Sequence, residues 1–378
     1  MKILIAPDSF KGSATSLRAA EAIGKGVHQI FPDAELVQIP VADGGEGTVE
    51  ALTESMNGKI IHKDVQGPLG KVVDAEYGIL PGEVAVIEMA SASGLTLIPD
   101  NKRNPLITST YGTGQLIQDA MERGCREIII GIGGSATNDG GTGMARALGF
   151  RFLDSHGKEL PEGGGALSYI SDIDDSEMDE RIQKTKFLVA CDVTNPLTGS
   201  EGASHIYGAQ KGASLSDIQH LDEALGNLAK IVNSKYCRAN ENIPGAGAAG
   251  GLGYGLMEFC GGELKSGIEI VLDLIKFDSY LDGVDLVISG EGRIDGQSVY
   301  GKVPVGIAGR AKKKDIPVLV VVGDIGPKVD AVYDHGIDAV MSSVNKAMSL
   351  DEAMSRAYEL LIDSASRAMR MIKIGMSL

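Results

Sequence analysis

The chain has 378 residues, with 35 Lys and Arg against 51 Asp and Glu, for a formal net charge of −16. That balance excludes a nucleic-acid partner, which needs a basic face, and a polybasic contact with a membrane. Glycine is the outlier at 51 residues, about twice the usual share, but it has no collagen period, and 43% hydrophobic residues exclude a disordered chain.

The length predicts two domains. An apolar run at 3–6, a polar loop at 7–13 and helical spacing of Ala20, Ile23, Val27 and Ile30 read as strand, loop and helix. A second strand at 35–40 leads into the loop 43–48 and a helix carrying Val49, Leu52 and Met56. This β-α-β-α start predicts a parallel sheet covered by helices. The texture changes at 59–89, where three strands (59–65, 71–79, 83–89) follow one another with Gly-Pro and Pro-Gly turns between them. A helix at about 112–123, an apolar strand at 127–130 and an amphipathic helix over 215–236 come next. The acidic stretch 172–180 reads as a solvated loop. Strands at 285–289, 317–322 and 338–341 then return to the opening pattern, and a final helix opens on the capping box Ser349–Glu352. The pattern predicts one doubly wound α/β domain built from both chain ends (1–65 and 280–378), with a second domain of mixed sheet (66–279) inserted into it. The four cysteines form no C-x-x-C and read as free thiols. No apolar stretch reaches ~18 residues and no signal segment is evident, so no membrane span and a cytoplasmic protein are expected.

Three phosphate-site patterns fall short of their full motifs. Residues 296–302 have P-loop spacing, but Val303 stands where a magnesium-holding Ser or Thr belongs. Gly245-Ala246-Gly247-Ala248-Ala249-Gly250 fits G-x-G-x-x-G without a preceding strand, and reads as either a packing segment or a pocket wall. Gly131-Ile132-Gly133-Gly134-Ser135-Ala136 does follow a strand. Asp154, at the distance of a ribose-binding acid, reads as a turn residue. A subtler signal is internal: D-G-G-x-G-x-x-x-A-L occurs at both 43–52 and 139–148. Each copy offers a carboxylate and free amides at a helix start, which suits a phosphate or a bridged ion, or equally a plain Asp N-cap. Carboxylates recur in strand-end loops, at Asp8, Asp43, Asp139, Asp192, Glu291 and Asp295, where α/β proteins gather ligands. Acids beside glycine nests suit magnesium and phosphate.

Taken in order, the motifs at 5–13, 40–48, 131–141 (GIGGSATNDGG), 191–197, 245–252 and 289–298 resemble those of the type 1 glycerate kinases over essentially the whole chain. The resemblance implies ATP- and magnesium-dependent phosphorylation of glycerate, usually giving 2-phosphoglycerate, with 3-phosphoglycerate the alternative. It also implies two α/β domains, one flavodoxin-like, with the active site in the cleft between them, in a monomer or homodimer whose partner is a small molecule.

Phosphoryl transfer needs in-line positioning and charge neutralisation more than covalent chemistry. Roles follow on that basis. Ser13, Gly44, Gly45, Gly47, Thr48, Gly133, Gly134, Ser135, Thr137 and Asn138 are expected around ATP phosphates, and Asp43 or Asp139 on magnesium. Lys11 and Lys302 would neutralise developing charge, and Arg293 would grip the glycerate carboxylate. Asp192 or Asp8 would be the general base. Asn195, Glu291, Asp295, Gln297 and Ser298 would complete the substrate site. A nucleotide-dependent oxidoreductase using 131–136 and a non-catalytic sensor of a small acid are the competing readings.

Overall fold

Ile3, Leu4, Ile5 and Ala6 are apolar without alternation, which marks a strand covered on both faces. They lie in Lys2–Pro7, next to the centre of a five-stranded sheet. The computed structural model describes residues 1–45, 47–299 and 301–377. Glu46 and Tyr300, members of two of the motifs above, lie outside the described residues. The chain forms two compact units. One comprises Met1–Asp43, Glu50–Met56 and Gly267–Leu378, and the other Gly44–Val49 and Asn57–Ser266.

The sheet of the first unit runs Ala339–Ser342, Val318–Ile325, Leu286–Ile294, Lys2–Pro7, Glu35–Gln38, and every pairing is parallel. In the unit's own chain order this is 2-1-3-4-5, the flavodoxin-like winding. The helices Ser16–His28 and Ala357–Gly375 pack on each other and cover Ile3, Ile5, Ile288, Leu319 and Val321. The alternate residues Leu4, Val287 and Val320 are equally buried and point the other way. There Val303–Lys312 packs on the same three strands. The winding reverses between Lys2–Pro7 and Leu286–Ile294, and the carboxyl ends of those two strands are the switch point where such sheets bind ligands.

The second unit holds a six-stranded mixed sheet. Glu263–Lys265, Lys186–Ala190, Glu127–Gly131 and Val84–Glu88 are parallel, and Val72–Leu80 and Lys59–Gln66 complete it as antiparallel strands. The helix-free texture at 59–89 is this antiparallel edge. Leu215–Tyr236 is the expected long helix, and Ser214 and Asp217 close a reciprocal capping box on it.

Three local expectations change. Asp172–Asp174 is a strand paired with Arg151–Leu153, because Ile173 between the two acids is fully buried. The final helix is two, Leu350–Ser355 and Ala357–Gly375, with Arg356 between them. The stretch 245–255 is a packing segment and not a pocket wall. Gly250 is left-handed at φ +71°, and a Cβ there would meet the Thr137 carbonyl.

Gly26 marks the closest approach of the two packed helices: a Cβ on it would meet the Ile362 carbonyl and come 2.7 Å from the Ala365 Cβ. Backbone cannot retreat cheaply, so Gly26→Ala is expected to lower unfolding stability by about 1–3 kcal/mol. Urea or thermal unfolding measures it, and an unchanged midpoint would mean that the helices slide apart freely.

Candidate active site

Three strand ends of the first unit deliver acids to one place. Asp8 leaves the end of Lys2–Pro7, its amide tied to the Gly290 carbonyl at 2.8 Å. Glu291 lies in Leu286–Ile294 and is 4% exposed. Asp43 follows Glu35–Gln38 through the segment 39–42. Lys302, the residue before the helix Val303–Lys312, donates to Asp43 Oδ2 at 2.9 Å.

The electrostatics follow from crowding. Burial pushes the Asp8 carboxyl up to about 7, and Asp43 adds to the rise. The amide of Ser9, which donates to Asp8 Oδ1 at 2.6 Å, and Lys302 oppose it. Burial likewise pushes Glu291 up to about 8, with Lys302 opposing and Asp8 and Asp43 adding. Burial pulls the Lys302 ammonium down, but Asp43, Glu291 and Asp8 outweigh it and hold it above its ordinary value. Glu291 Oε1 is buried without a hydrogen-bond partner.

Next to this group, Arg293 is exposed. Its Nε lies 3.5 Å from Asp295 and 3.6 Å from Asp324. Asp295 also accepts from the Gln297 amide at 2.8 Å, and the Ser298 hydroxyl accepts from the Asp295 amide at 3.1 Å. Ser298 is buried and Gln297 exposed. Lys11 stands exposed in the loop after Asp8, while the Ser13 hydroxyl is spent on the Phe10 carbonyl at 2.8 Å. Ser13 thereby shapes its own turn.

In the second unit, the turn after Glu127–Gly131 leaves Gly133 and Gly134 exposed. The carbonyls of Gly134, Ala136 and Thr137 are taken by Leu95 N, Thr108 Oγ1 and Lys211 Nζ. Among the described residues, no acceptor takes the amides of Gly133 and Gly134. The rest of the motif is buried. Thr137 and Asn138 are 0% exposed, so they brace the turn and cannot touch a nucleotide as expected. Asn138 Nδ2 donates to Ser204 Oγ at 3.0 Å. Asp139 is corrected in the same way. It is wholly buried, and its carboxylate accepts from the Thr110 amide and hydroxyl and from the amides of Gly141 and Gly143. It is an internal cap with no face left for magnesium, and burial raises its pKa against those four bonds.

The other D-G-G-x-G copy behaves differently. Asp43 is partly open, and Gly44, Gly45 and Gly47 form an irregular loop in which the Thr48 hydroxyl donates to the Gly45 carbonyl at 2.7 Å. Asp192 is exposed beyond Lys186–Ala190 and accepts from Ser266 Oγ at 2.8 Å. Asn195 is spent inside its own loop, donating to the Glu201 carbonyl and accepting from Tyr207. Asp154 accepts from the amides of His156 and Lys158 in a turn, which takes away the acid that the oxidoreductase reading needed. All four cysteines are free, and among the described residues no helix is long and apolar enough to cross a membrane. Lys211 was missed: a lysine in a short Ala-Gln-Lys-Gly turn carries no sequence sign of burial.

The first unit is an α/β sheet with acids and a lysine at its switch point, and the second carries a glycine turn with spare amides. The glycerate kinase family model matches residues 3–373, and the chain belongs to that family. It is 50% identical to the glycerate kinase of Bacillus subtilis (strain 168) over 376 residues, covering 99% of this chain and 98% of the relative. It is also 50% identical to the glycerate 2-kinase of Escherichia coli (strain K12) over 377 residues, covering 100% and 99%. A crystal structure assigned as glycerate kinase 2 from Salmonella typhimurium LT2 matches with a TM-score of 0.91 at 46% identity over all of both chains. The enzyme class is thus a kinase acting on glycerate.

The raised pKa of Asp8 carries a stability consequence. In the unfolded chain it titrates near 3.8 and in the folded one near 7. The folded state therefore binds the extra proton between these values, and stability falls as pH rises through that window. Asp8→Asn removes the buried charge and is expected to stabilise the protein at pH 8 by on the order of 1–3 kcal/mol, a gain that fades toward pH 4. Denaturant unfolding at the two pH values measures it, and equal stability of the two proteins at pH 8 would mean that Asp8 is solvated.

Proposed function

We propose that this enzyme transfers the γ-phosphoryl group of ATP to the 2-hydroxyl of D-glycerate, in the cytoplasm, with magnesium as its metal. The observation that carries the reading is the group Asp8, Asp43, Glu291 and Lys302 at the strand-end switch point. The name of the Escherichia coli relative, glycerate 2-kinase, supports carbon 2 as the acceptor.

The donor set fits magnesium. It is all oxygen and includes the orphaned Glu291 Oε1. Magnesium takes one or two carboxylates and keeps water and phosphate oxygens for the rest. Asp43 is the first choice for it, with the unpartnered Glu291 Oε1 alongside. When bound, the metal supplies charge neutralisation on the transferring phosphoryl group. The exposed amides of Gly133 and Gly134 fit phosphate oxygens, and Gly44, Gly45, Gly47 and Thr48 are kept as a further nucleotide loop.

Asp8 is the general base, in preference to the exposed Asp192. A carboxylate brought to about 7 by burial is matched to accepting the glycerate hydroxyl proton near neutral pH. Lys302 is held cationic by its three acidic neighbours and offsets the negative charge that gathers during transfer. Lys11 adds a second cation from the loop after Asp8. Arg293 anchors the substrate carboxylate. Its Nε is paired with Asp295 and Asp324, and the planar guanidinium suits a bidentate pair with a carboxylate. Asp295, Gln297 and Ser298 hold the loop that aims it.

A coupled ADP-release assay with D-glycerate, followed by NMR of the product, tests the reading. Phosphate on carbon 3, or no turnover, would reject it. kcat/KM for glycerate is expected to fall below about pH 7 as Asp8 takes up its proton, and Asp8→Asn should cost about 10²–10⁴-fold. A flat profile with an active Asp8→Asn enzyme would return the role to Asp192. Arg293→Lys should raise the KM for glycerate about tenfold or more with little change in kcat, because lysine lacks the planar fork. An unchanged KM would move the carboxylate site elsewhere.

A further inference from the structure

Lys211 is the most anomalous side chain in the second unit. It is 2% exposed, at the end of the short turn Ala209–Lys211. Its Nζ donates to Ser135 Oγ at 2.8 Å and to the Thr137 carbonyl at 2.7 Å. Both partners belong to the turn whose Gly133 and Gly134 amides are unspent. Burying a lysine is expensive, since desolvation disfavours its charged form. A neutral donor would brace the turn at lower cost, as Asn138 does nearby through Ser204. What the lysine adds is a positive charge directly behind the turn, shielded from water.

We infer that Lys211 is a positioning residue that makes anion binding at the Gly133–Ser135 turn depend on its own protonation: its ammonium draws Ser135 and the Thr137 carbonyl inward, leaves the Gly133 and Gly134 amides for an anion, and adds its charge to theirs. The inference rests on the reading of this turn as a seat for nucleotide phosphate. Burial pushes Lys211 down to about 7, and Asp139 on the same turn is the charged group that acts against this. The two hydrogen-bond partners carry no charge. Linkage is reciprocal. A phosphate held by the turn favours the ammonium, so binding draws in a proton above neutral pH, and loss of that proton weakens binding.

The test uses the full-length enzyme and MgATP. Between pH 6.5 and 8.5 the wild-type KM for MgATP should rise several-fold. Lys211→Met should raise that KM about tenfold at pH 6.5, leave the KM for glycerate within about twofold and abolish the pH trend. Lys211→Arg, whose charge does not titrate in this range, should keep the low KM at pH 6.5 and hold it to pH 8.5. Titration calorimetry of MgATP at pH 8 in two buffers of different ionisation enthalpy should show proton uptake by wild type and less by either variant. A wild-type KM and pH trend in Lys211→Met would overturn the inference, as would equal proton uptake in wild type and Lys211→Arg. If Lys211→Met does not fold, the wild-type trend and the arginine variant decide. Gly134→Ala separates this from the reading beneath it. Gly134 sits at φ +71°, so a side chain there distorts the turn itself. An unchanged MgATP KM in Gly134→Ala would reject the phosphate seat, whereas a raised KM there beside a silent Lys211→Met rejects the lysine's role alone.

Discussion

The ion pair between Lys302 and Asp43 is the interaction on which the catalytic reading depends. Asp8, Asp43 and Glu291 occupy one corner of a sheet, and two of the three are buried enough to resist ionisation. Without a cation among them, the corner would carry repulsion that the fold could relieve only by swelling or by protonating every acid. Lys302 lets one carboxylate stay ionised while Asp8 and Glu291 are held near the point of losing their protons. A hydroxyl to be phosphorylated needs such an acceptor, one that takes a proton at neutral pH and can release it afterwards. The same crowding makes the resting protein less stable than it could be.

The fold sets up this corner through its winding. Asp8 and Glu291 stand 283 positions apart in sequence but are carried by hydrogen-bonded parallel neighbours, with Pro7 paired to Gly290. A flavodoxin-like sheet places the ends of its first and third strands side by side and sends the following helices to opposite faces. The gap between them is open to a ligand. Lys302 enters from the helix that follows the third strand. The chain thus assembles its charged group from its two ends, and the second unit, inserted between them, need not contribute to it.

Much of this was legible in the sequence. Apolar runs at 3–6 and 286–288 announced strands, and the turn pairs at 59–89 announced a change of sheet texture. Asp8, Asp43 and Glu291 were singled out as strand-end carboxylates and Lys302 from the P-loop-like spacing at 296–302, although Glu291 lies within Leu286–Ile294 and not in a loop after it. What sequence could not reveal was which loop carboxylates face a ligand. The two D-G-G-x-G copies are nearly alike in residues, yet Asp43 meets Lys302 while Asp139 is enclosed by Thr110, Gly141 and Gly143. The difference lies in what packs behind each loop. At 139–143 the glycine-rich helix start at 248–255 closes over the backbone, and its small residues permit that closeness. The glycine excess therefore has two physical sources, one that opens backbone to ligands and one that lets backbone pack on backbone, and composition alone cannot divide them.

Lys211 shows the same limit from the other side. Local sequence gives a lysine in a polar turn, and the default expectation for such a residue is solvent. Its burial is decided by a distant part of the chain, the 131–141 turn, whose Ser135 and Thr137 it reaches across more than seventy positions. The cost of that burial is an argument in itself. A turn stabilised by neutral groups would be equally rigid at every pH and would offer an approaching phosphate only its amides. A turn resting on a lysine that is reluctant to hold its proton is least stable when empty and gains most when an anion arrives above it. The desolvation of Lys211 and the crowding of Asp8 and Glu291 are alike in this respect: each unit holds a charge that burial disfavours.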